Sequence, residues 1–252
     1  MKKTFFFIIL LLGVGAFAQI SINTEYVGNS KFYDAASDSN VGDGSAMIYS
    51  VGALVPFSMQ APKEEDPYQR PTVWGVSLNG SFLKADNHNL PARKNFPSQM
   101  MNLNASVIHL RPLKTHWSML IALGAGSYTT ENRLSSIHIG ENVDANGAFM
   151  FVYHWKPNVW EWHPTFEIGA GAALNNTFGY PMIFPALYFK FRGGIGDKFT
   201  IDMASFNGVK VAFGYNFSEY FNLKLVGSIG GYSAYVRRNG QKEIFSQQNF
   251  IA

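Results

Sequence analysis

The sequence contains no cysteine and little charge. Of its 252 residues, 15% are Asp, Glu, Lys or Arg, whereas an average soluble domain carries about 25%. The lack of cysteine excludes disulfides, thiolate metal sites, cysteine nucleophiles and lipid attachment through a thiol. The shortage of charge argues against an ordinary soluble domain.

Two further absences exclude whole classes of function. The formal net charge is +3 and no block of basic residues occurs, so a nucleic-acid partner is not expected. After the N-terminus no 18-residue stretch is wholly apolar, which excludes a bundle of membrane helices. Aromatic residues make up 15% of the chain, and glycine occurs 24 times. Together these features favour an all-β protein and a barrel in a membrane.

The N-terminus has the three parts of a bacterial secretory signal. Lys2 and Lys3 form a short positive region, Phe5 to Val14 is almost wholly apolar, and Ala16-Phe17-Ala18 supplies the small residues of a cleavage site. A single membrane anchor is the alternative, but the apolar run is short for one and ends in small residues.

We therefore predict a signal peptide over residues 1–18 and an outer-membrane β-barrel domain over residues 19–252. No cysteine follows the cleavage site, so the chain is not expected to be a lipoprotein. The predicted location is the outer membrane of a double-membraned bacterium, and export uses the signal peptide.

The rest of the chain alternates with the period of a β-strand. Trp74, Val76, Leu78 and Phe82 share one parity, and the other parity holds Gly, Ser and Asn. No comparable segment repeats with the helical period. The pattern predicts eleven strands, near residues 20–27, 46–59, 73–82, 101–107, 117–126, 147–155, 165–175, 187–192, 199–203, 209–217 and 222–229. Phe245–Ala252 could begin a twelfth.

The connectors alternate between long and short. Long polar loops are predicted at Gly28–Gly44, Asp86–Ser98 and Glu131–Asn146, and most of the others are short turns. Short turns on one rim and long loops on the other are typical of an up-and-down outer-membrane barrel. Ala61–Pro71 is the exception, since it is long where a short turn is expected, and the sequence offers no explanation for it.

One hairpin can be predicted in detail. Apolar residues on both of its strands are odd-numbered, so cross-strand partners must add to an even number. A three-residue loop, Phe206-Asn207-Gly208, pairs Ser205 with Val209 and keeps both apolar faces in phase. This loop requires Gly208 in the left-handed conformation.

The polar parity predicts which face points inward. Only Glu25, Glu167 and Asp202 place acidic groups well inside strands, and small residues dominate their face. A narrow barrel needs small inward residues. Aromatic residues gather near strand ends, as membrane girdles require: Trp74, Trp117, Trp155, Trp160, Trp162, Tyr180, Phe217, Tyr220 and Phe221. An exported soluble β-barrel or sandwich is the alternative, in which these residues pack in a core.

Six charged side chains on the polar parity of the strands are predicted to point into the barrel. They are Glu167, Lys190, Arg192, Asp202, Lys210 and Lys224. We expect ion pairs that fill the interior, because buried charges need partners. Asp202 and Lys210 would be diagonal neighbours in the hairpin. The alternative is a selectivity or substrate site inside a narrow pore.

No catalytic pattern is found. A lipid-modifying outer-membrane hydrolase would need a Ser or Thr activated by a histidine near the membrane edge. The sequence has neither a G-x-S-x-G nor an H-E-x-x-H motif. Its histidines are His88, His109, His116, His138, His154 and His163. His88 and His138 lie in predicted loops, His116 and His163 lie at short turns, and His109 and His154 lie in or near strands without a Ser-containing motif beside them. No catalytic residue, cofactor or metal site is predicted, and the hydrolase is retained as an alternative function.

The C-terminal half resembles a bacterial outer-membrane β-barrel family of unknown function. The resemblance rests on Gly169–Ala173, on Phe178-Gly179-Tyr180-Pro181, on Phe184-Pro185-Ala186-Leu187 and on the hairpin through Gly208. It covers about residues 150–235, implies a membrane barrel and brings no catalytic residues with it.

Such barrels commonly close with a strand that ends in an aromatic residue, a signal for the insertion machinery. This chain ends Phe250-Ile251-Ala252, so either the last strand is short or closing strands are missing. The expected partners are outer-membrane lipid and the insertion machinery, and the oligomeric state is left open. The predicted function is a non-enzymatic barrel, either a narrow pore or a structural surface protein.

Overall fold

The computed structural model describes most of the chain. The described residues are 19–34, 38–61, 70–89, 97–157, 164–176, 180–194, 197–206, 208–218, 220–238 and 241–251. The predicted signal peptide lies outside them. Within these ranges no helix has both the length and the apolarity needed to cross a membrane.

Twelve antiparallel strands account for nearly all of the described chain. They are β1 (Gln19–Asp34), β2 (Ser39–Gln60), β3 (Thr72–His88), β4 (Gln99–Lys114), β5 (Trp117–Thr129), β6 (Val143–Trp155), β7 (Thr165–Asn175), β8 (Met182–Gly193), β9 (Phe199–Ala204), β10 (Val209–Asn216), β11 (Asn222–Arg238) and β12 (Gln241–Ile251). Each strand pairs with the next in sequence. The predicted all-β, up-and-down architecture with a twelfth strand is confirmed.

The barrel closes between β5 and β11. A parallel contact joins Thr129 to Tyr235, so seven of the twelve strands form the closed ring. Among the described residues, β1 and β12 each pair along one edge only. Closure therefore does not use the first and last strands, and β1–β4 form a sheet that continues beyond the ring.

The apolar parity faces outward along the strands. Leu123 is 67% exposed, Ile168 54% and Leu225 70%. The other parity points inward and is small, as in Ala186 and Ala212, which are both buried. The alternation that identified the strands therefore describes a wall with an apolar outer surface.

Two buried aliphatic clusters lie on the inner side of the wall. Met150, Val152, Ala173 and Ala186 pack inside the closed ring. A second cluster joins β2, β3 and β4 to β11, and its members are Ala46, Ile48, Leu83, Ala85, Met100 and Ala234. This second cluster holds the inner face of the β1–β4 sheet against β11.

The hairpin between β9 and β10 has the predicted register. Met203 lies opposite Val211 and Ala204 opposite Lys210, which places Ser205 level with Val209. Gly208 has a φ of +84°, a conformation that favours glycine. The expected three-residue loop is confirmed, although Asn207 itself lies outside the described residues.

The first long loop was predicted wrongly. Much of Gly28–Gly44 is strand, because β1 runs to Asp34 and β2 begins at Ser39. The two strands stay paired through register shifts between Val27 and Ser30, since backbone hydrogen bonds continue where side chains carry no apolar pattern. Polar composition marked the end of the apolar face and not the end of the strands.

Candidate functional site

A charged cluster lies inside the barrel where β6, β7 and β8 run side by side. Glu167 of β7 forms an ion pair with Arg70. The Tyr188 hydroxyl donates a hydrogen bond of 2.8 Å to Glu167 Oε2. His154 Nδ1 lies 3.9 Å from Glu167 Oε1, because His154 and Glu167 are direct cross-strand partners. The carboxylate is thus surrounded by partners from three directions.

Arg70 reaches this cluster from a distant part of the sheet. It precedes β3, which is separated from β7 by three strands in the sheet order. The side chains of Arg70 and Glu167 are 30% and 19% exposed. Arg70 ends the long connector that the sequence left unexplained, so this connector delivers a cation that links the β1–β4 sheet to the closed ring. A single loop arginine gave no signal of this role.

The predicted charges form a ladder of alternating sign along neighbouring strands. Lys190 lies opposite Glu167 on one side and opposite Asp202 on the other. Lys224 Nζ then lies 3.9 Å from Asp202 Oδ2, across the small residue Gly214, which is its partner on β10. The side chains of Asp202 and Lys224 are both more than 40% exposed. This ion pair is therefore more accessible to solvent than the pair formed by Glu167.

The other two predicted charges lie apart from the ladder. Arg192 is exposed near the short-turn rim, opposite Thr165 and Thr200. Lys210 is the expected diagonal neighbour of Asp202, since it pairs with Ala204 while Asp202 pairs with Ala212. Lys210 lies toward the opposite rim and lines an interior cavity. The six charges therefore do not form a single site.

A hydrogen-bond network of uncharged side chains connects β4, β5 and β6 on the inner side of the barrel. Asn104 Oδ1 accepts hydrogen bonds of 3.1 Å from the Tyr128 hydroxyl and from Asn146 Nδ2. Ser106 Oγ donates to Asn146 Oδ1 at 3.1 Å. Amide and hydroxyl groups can satisfy one another without charge, and the network ties three strands together from within.

Asp144 anchors the closure of the ring. Its Oδ2 accepts hydrogen bonds from the Tyr235 hydroxyl at 2.7 Å and from Asn176 Nδ2 at 3.1 Å. Ser233 Oγ donates to the Asn176 carbonyl oxygen at 3.1 Å. Asp144 falls inside the predicted loop Glu131–Asn146, but β6 begins at Val143. Because the start of β6 was predicted too late, the inward position of Asp144 was missed.

Three of the described histidines contact a carboxylate, an amide and an aromatic ring. His88 Nε2 lies 3.5 Å from Asp86 Oδ2, and the His138 backbone N–H donates to Asn142 Oδ1 at 2.9 Å. The His109 ring stacks on Trp74 with centroids 3.9 Å apart. Neither loop histidine, His88 nor His138, contacts a Ser or Thr hydroxyl in these interactions, and His163 lies outside the described residues.

The charged cluster also lacks the parts of a metal or nucleophile site. Among the described residues no group of three or more His, Asp or Glu side chains could hold a metal ion. The Glu167 carboxylate is occupied by Arg70 and Tyr188, so it is poorly placed to activate a hydroxyl. The arrangement is suited to holding the barrel interior together.

Comparison with known proteins gives a family and no function. The sequence model of a domain of unknown function, DUF6268, matches residues 14–252. No curated protein and no solved structure is significantly similar to the chain.

Proposed function

We propose that this chain, which belongs to the DUF6268 domain family, is a non-enzymatic β-barrel of the bacterial outer membrane whose interior is closed to ions. The observation that carries the proposal is the outward apolar surface. Monomeric soluble proteins rarely expose contiguous apolar patches larger than a few hundred Å². Here Leu, Ile and Phe side chains face outward on consecutive strands, which suits a surface covered by lipid.

The distribution of aromatic residues supports the same location. Trp117 and Trp155 are 44% exposed at strand ends on the short-turn rim, and Phe217 and Tyr220 are exposed beside them. Girdles of aromatic residues mark the two interfaces of membrane barrels. A soluble sandwich would bury such rings between its sheets.

The interior supports a structural or surface role over an open pore. About eight strands leave an interior just wide enough for side chains to fill, and the closed ring here has seven. Arg70, Glu167 and Tyr188 form bonds across part of that interior. The interior charges then serve as internal ion pairs, and transport is not their main task.

Membrane extraction tests the location. The full-length chain is expressed in a double-membraned bacterium, and its membranes are washed with salt and alkaline carbonate. We expect the protein to stay in the membrane and to migrate differently on a gel before and after boiling. Release by salt or alkali alone would contradict the proposal and favour an exported soluble β protein.

Planar-bilayer conductance tests whether the interior is closed to ions. We expect the folded protein to show no steady conductance, and Arg70→Ala to produce openings because the Glu167 ion pair is lost. Arg237→Ala is the control, since its ion pair with Glu141 is exposed. A steady wild-type conductance whose ion preference changes in Glu167→Gln or Lys210→Ala would instead favour the pore.

A further inference from the structure

A separate cavity lies between the β1–β4 sheet and the strands β10 and β11. Its volume is about 340 Å³, near the lower end of the 300–1,000 Å³ range of small-molecule sites. The charged cluster described above does not contribute to it. The lining is rich in amides and hydroxyls, and its members include Asn23, Asn79, Asn104, Asn176, Tyr128 and Tyr232.

The cavity lining carries no net charge. Among the described residues that line it, Glu25 and Lys210 are the only ionisable ones apart from the tyrosines. Glu25 Oε1 accepts a hydrogen bond of 2.6 Å from Asn23 Nδ2, so part of the carboxylate is already occupied within the protein. An anionic ligand would meet a single ammonium group, and an apolar ligand would leave the amides without partners.

One buried amide in the lining has an unused acceptor. Asn176 is 1% exposed, and its Nδ2 donates to Asp144. Its Oδ1 has no hydrogen-bond partner among the described residues. A buried acceptor without a partner is unfavourable, and the Asn176 amide would have to turn toward the cavity to accept a hydrogen bond from a ligand.

We propose that this cavity binds a neutral saccharide of one or two rings. Amide side chains both donate and accept, which matches the hydroxyl groups of a sugar. Tyr232, which is only partly buried, adds aromatic surface for the apolar face of a sugar ring. The absence of net charge in the lining selects neutral over anionic sugars.

Saturation-transfer NMR on the folded full-length chain in a detergent without a sugar headgroup tests this inference. The probes are glucose and maltose. We expect transfer from protein methyl groups to the sugar protons, and binding at least tenfold weaker in Gly230→Leu. Gly230 lines the cavity, and a Cβ at this position would meet nothing within 4 Å, so leucine can fill the space without a clash at its Cβ.

Gly28→Leu is the matched control. A Cβ at Gly28 also meets nothing within 4 Å, and Gly28 is not part of the lining. It should leave the sugar signals unchanged. If Gly230→Leu does not fold, Asn79→Ala provides the comparison, because it removes a lining amide whose Nδ2 donates a hydrogen bond to the neighbouring Ser77 on the same strand. Its expected effect is weaker binding of both sugars.

Three results would overturn the inference. They are no transfer to either sugar from the wild-type protein, equal transfer in the cavity variant, and tighter binding of glucuronate than of glucose. Binding is measured on folded protein in micelles and does not depend on where the chain resides in the cell. A failure here is therefore distinguishable from a failure of the proposed membrane location.

Discussion

The first four strands and the strands of the closed ring differ in length. β1–β4 contain 16, 22, 17 and 16 residues, whereas β5–β10 contain between 6 and 13. A strand crosses a membrane with about 9–11 residues. The first four strands therefore extend well past any membrane belt, as does β11 with 17 residues. β5–β8 match the required length, and β9 and β10 are shorter than it.

The two regions also differ in how their inner faces are held. The closed ring has a smaller aliphatic cluster around Met150, the Glu167 carboxylate that Arg70 of the β2–β3 connector neutralises, and the Asp144 hydrogen bonds at its seam. The β1–β4 sheet is held by aliphatic packing of Ile48, Leu83 and Met100 against β11. We infer that losing an apolar contact loosens the long sheet, and that losing a charge loosens the ring.

The largest expected effect comes from the aliphatic contact. Leu83→Ala removes a side chain that is fully buried and should destabilise the fold by about 3 kcal/mol, because a cavity remains. Denaturant unfolding in micelles measures the loss, and hydrogen exchange should increase in β1–β4 before β6–β9. Leu78→Ala is the control on the same strand, since Leu78 is 49% exposed. An equal loss of unfolding free energy in the two variants would show that the buried aliphatic contact does not hold the β1–β4 sheet.

The Arg70 ion pair should have the next largest effect. Arg70→Ala leaves Glu167 without its cation, and we expect a loss of roughly 2 kcal/mol. That is less than for a fully buried pair, because Arg70 is partly exposed. Exchange should increase mainly in β6–β8. Arg237→Ala removes an exposed pair and should cost less than about 1 kcal/mol. If both variants unfold at the same denaturant concentration, the ion pair does not hold the ring.

Removing a single hydroxyl group should weaken the contact between β5 and β11. Tyr235→Phe removes the 2.7 Å hydrogen bond to Asp144 and should cost about 1 kcal/mol. Thermal unfolding measures the change, and β11 amides near the seam should exchange faster. Tyr215→Phe is the control, because that ring packs between Phe199 and Phe217. A null result would mean that the Thr129–Tyr235 contact alone closes the ring.

The smallest effect is a pH dependence of the long β1–β2 hairpin. Hydrogen bonds from the side chains of Asn29 and Asn89 lower the pKa of Asp43 below its ordinary 3.8. The folded protein is therefore more stable when Asp43 is ionised. This stability is fully present above the ordinary pKa of 3.8 and is lost as the pH falls through the lowered pKa. Asp43→Asn should melt slightly below wild type at about pH 6, and the gap should close as the pH falls through the lowered pKa. A gap that persists in acid would show that the charge is not responsible.

Sequence alone predicted the strands because their outer face is apolar and their inner face small. Residues such as Leu123 and Gly124 alternate with a period that only a strand produces, and the loop at Gly208 followed from parity alone. The first long loop was misjudged because polar residues such as Asn29 and Asp43 end the apolar pattern without ending the backbone pairing.

The interior site was less predictable than the strands. Parity placed Glu167, Lys190 and Asp202 on one face, and cross-strand register made them neighbours. Arg70 and Asp144 were missed, because their roles depend on contacts between residues far apart in sequence. The closure through β5 and β11 could not be read from local patterns for the same reason.

The proposed membrane location requires that the apolar outer face of the strands contacts lipid. Since the chain has no native cysteine, single spin labels can be placed at Leu225→Cys, which lies on the outward face, and at Ser228→Cys, which lines the cavity. In lipid vesicles we predict that the label at 225 is more accessible to oxygen than to a water-soluble nickel complex, and that the label at 228 shows the reverse. Greater access of the nickel complex at 225 would contradict the account.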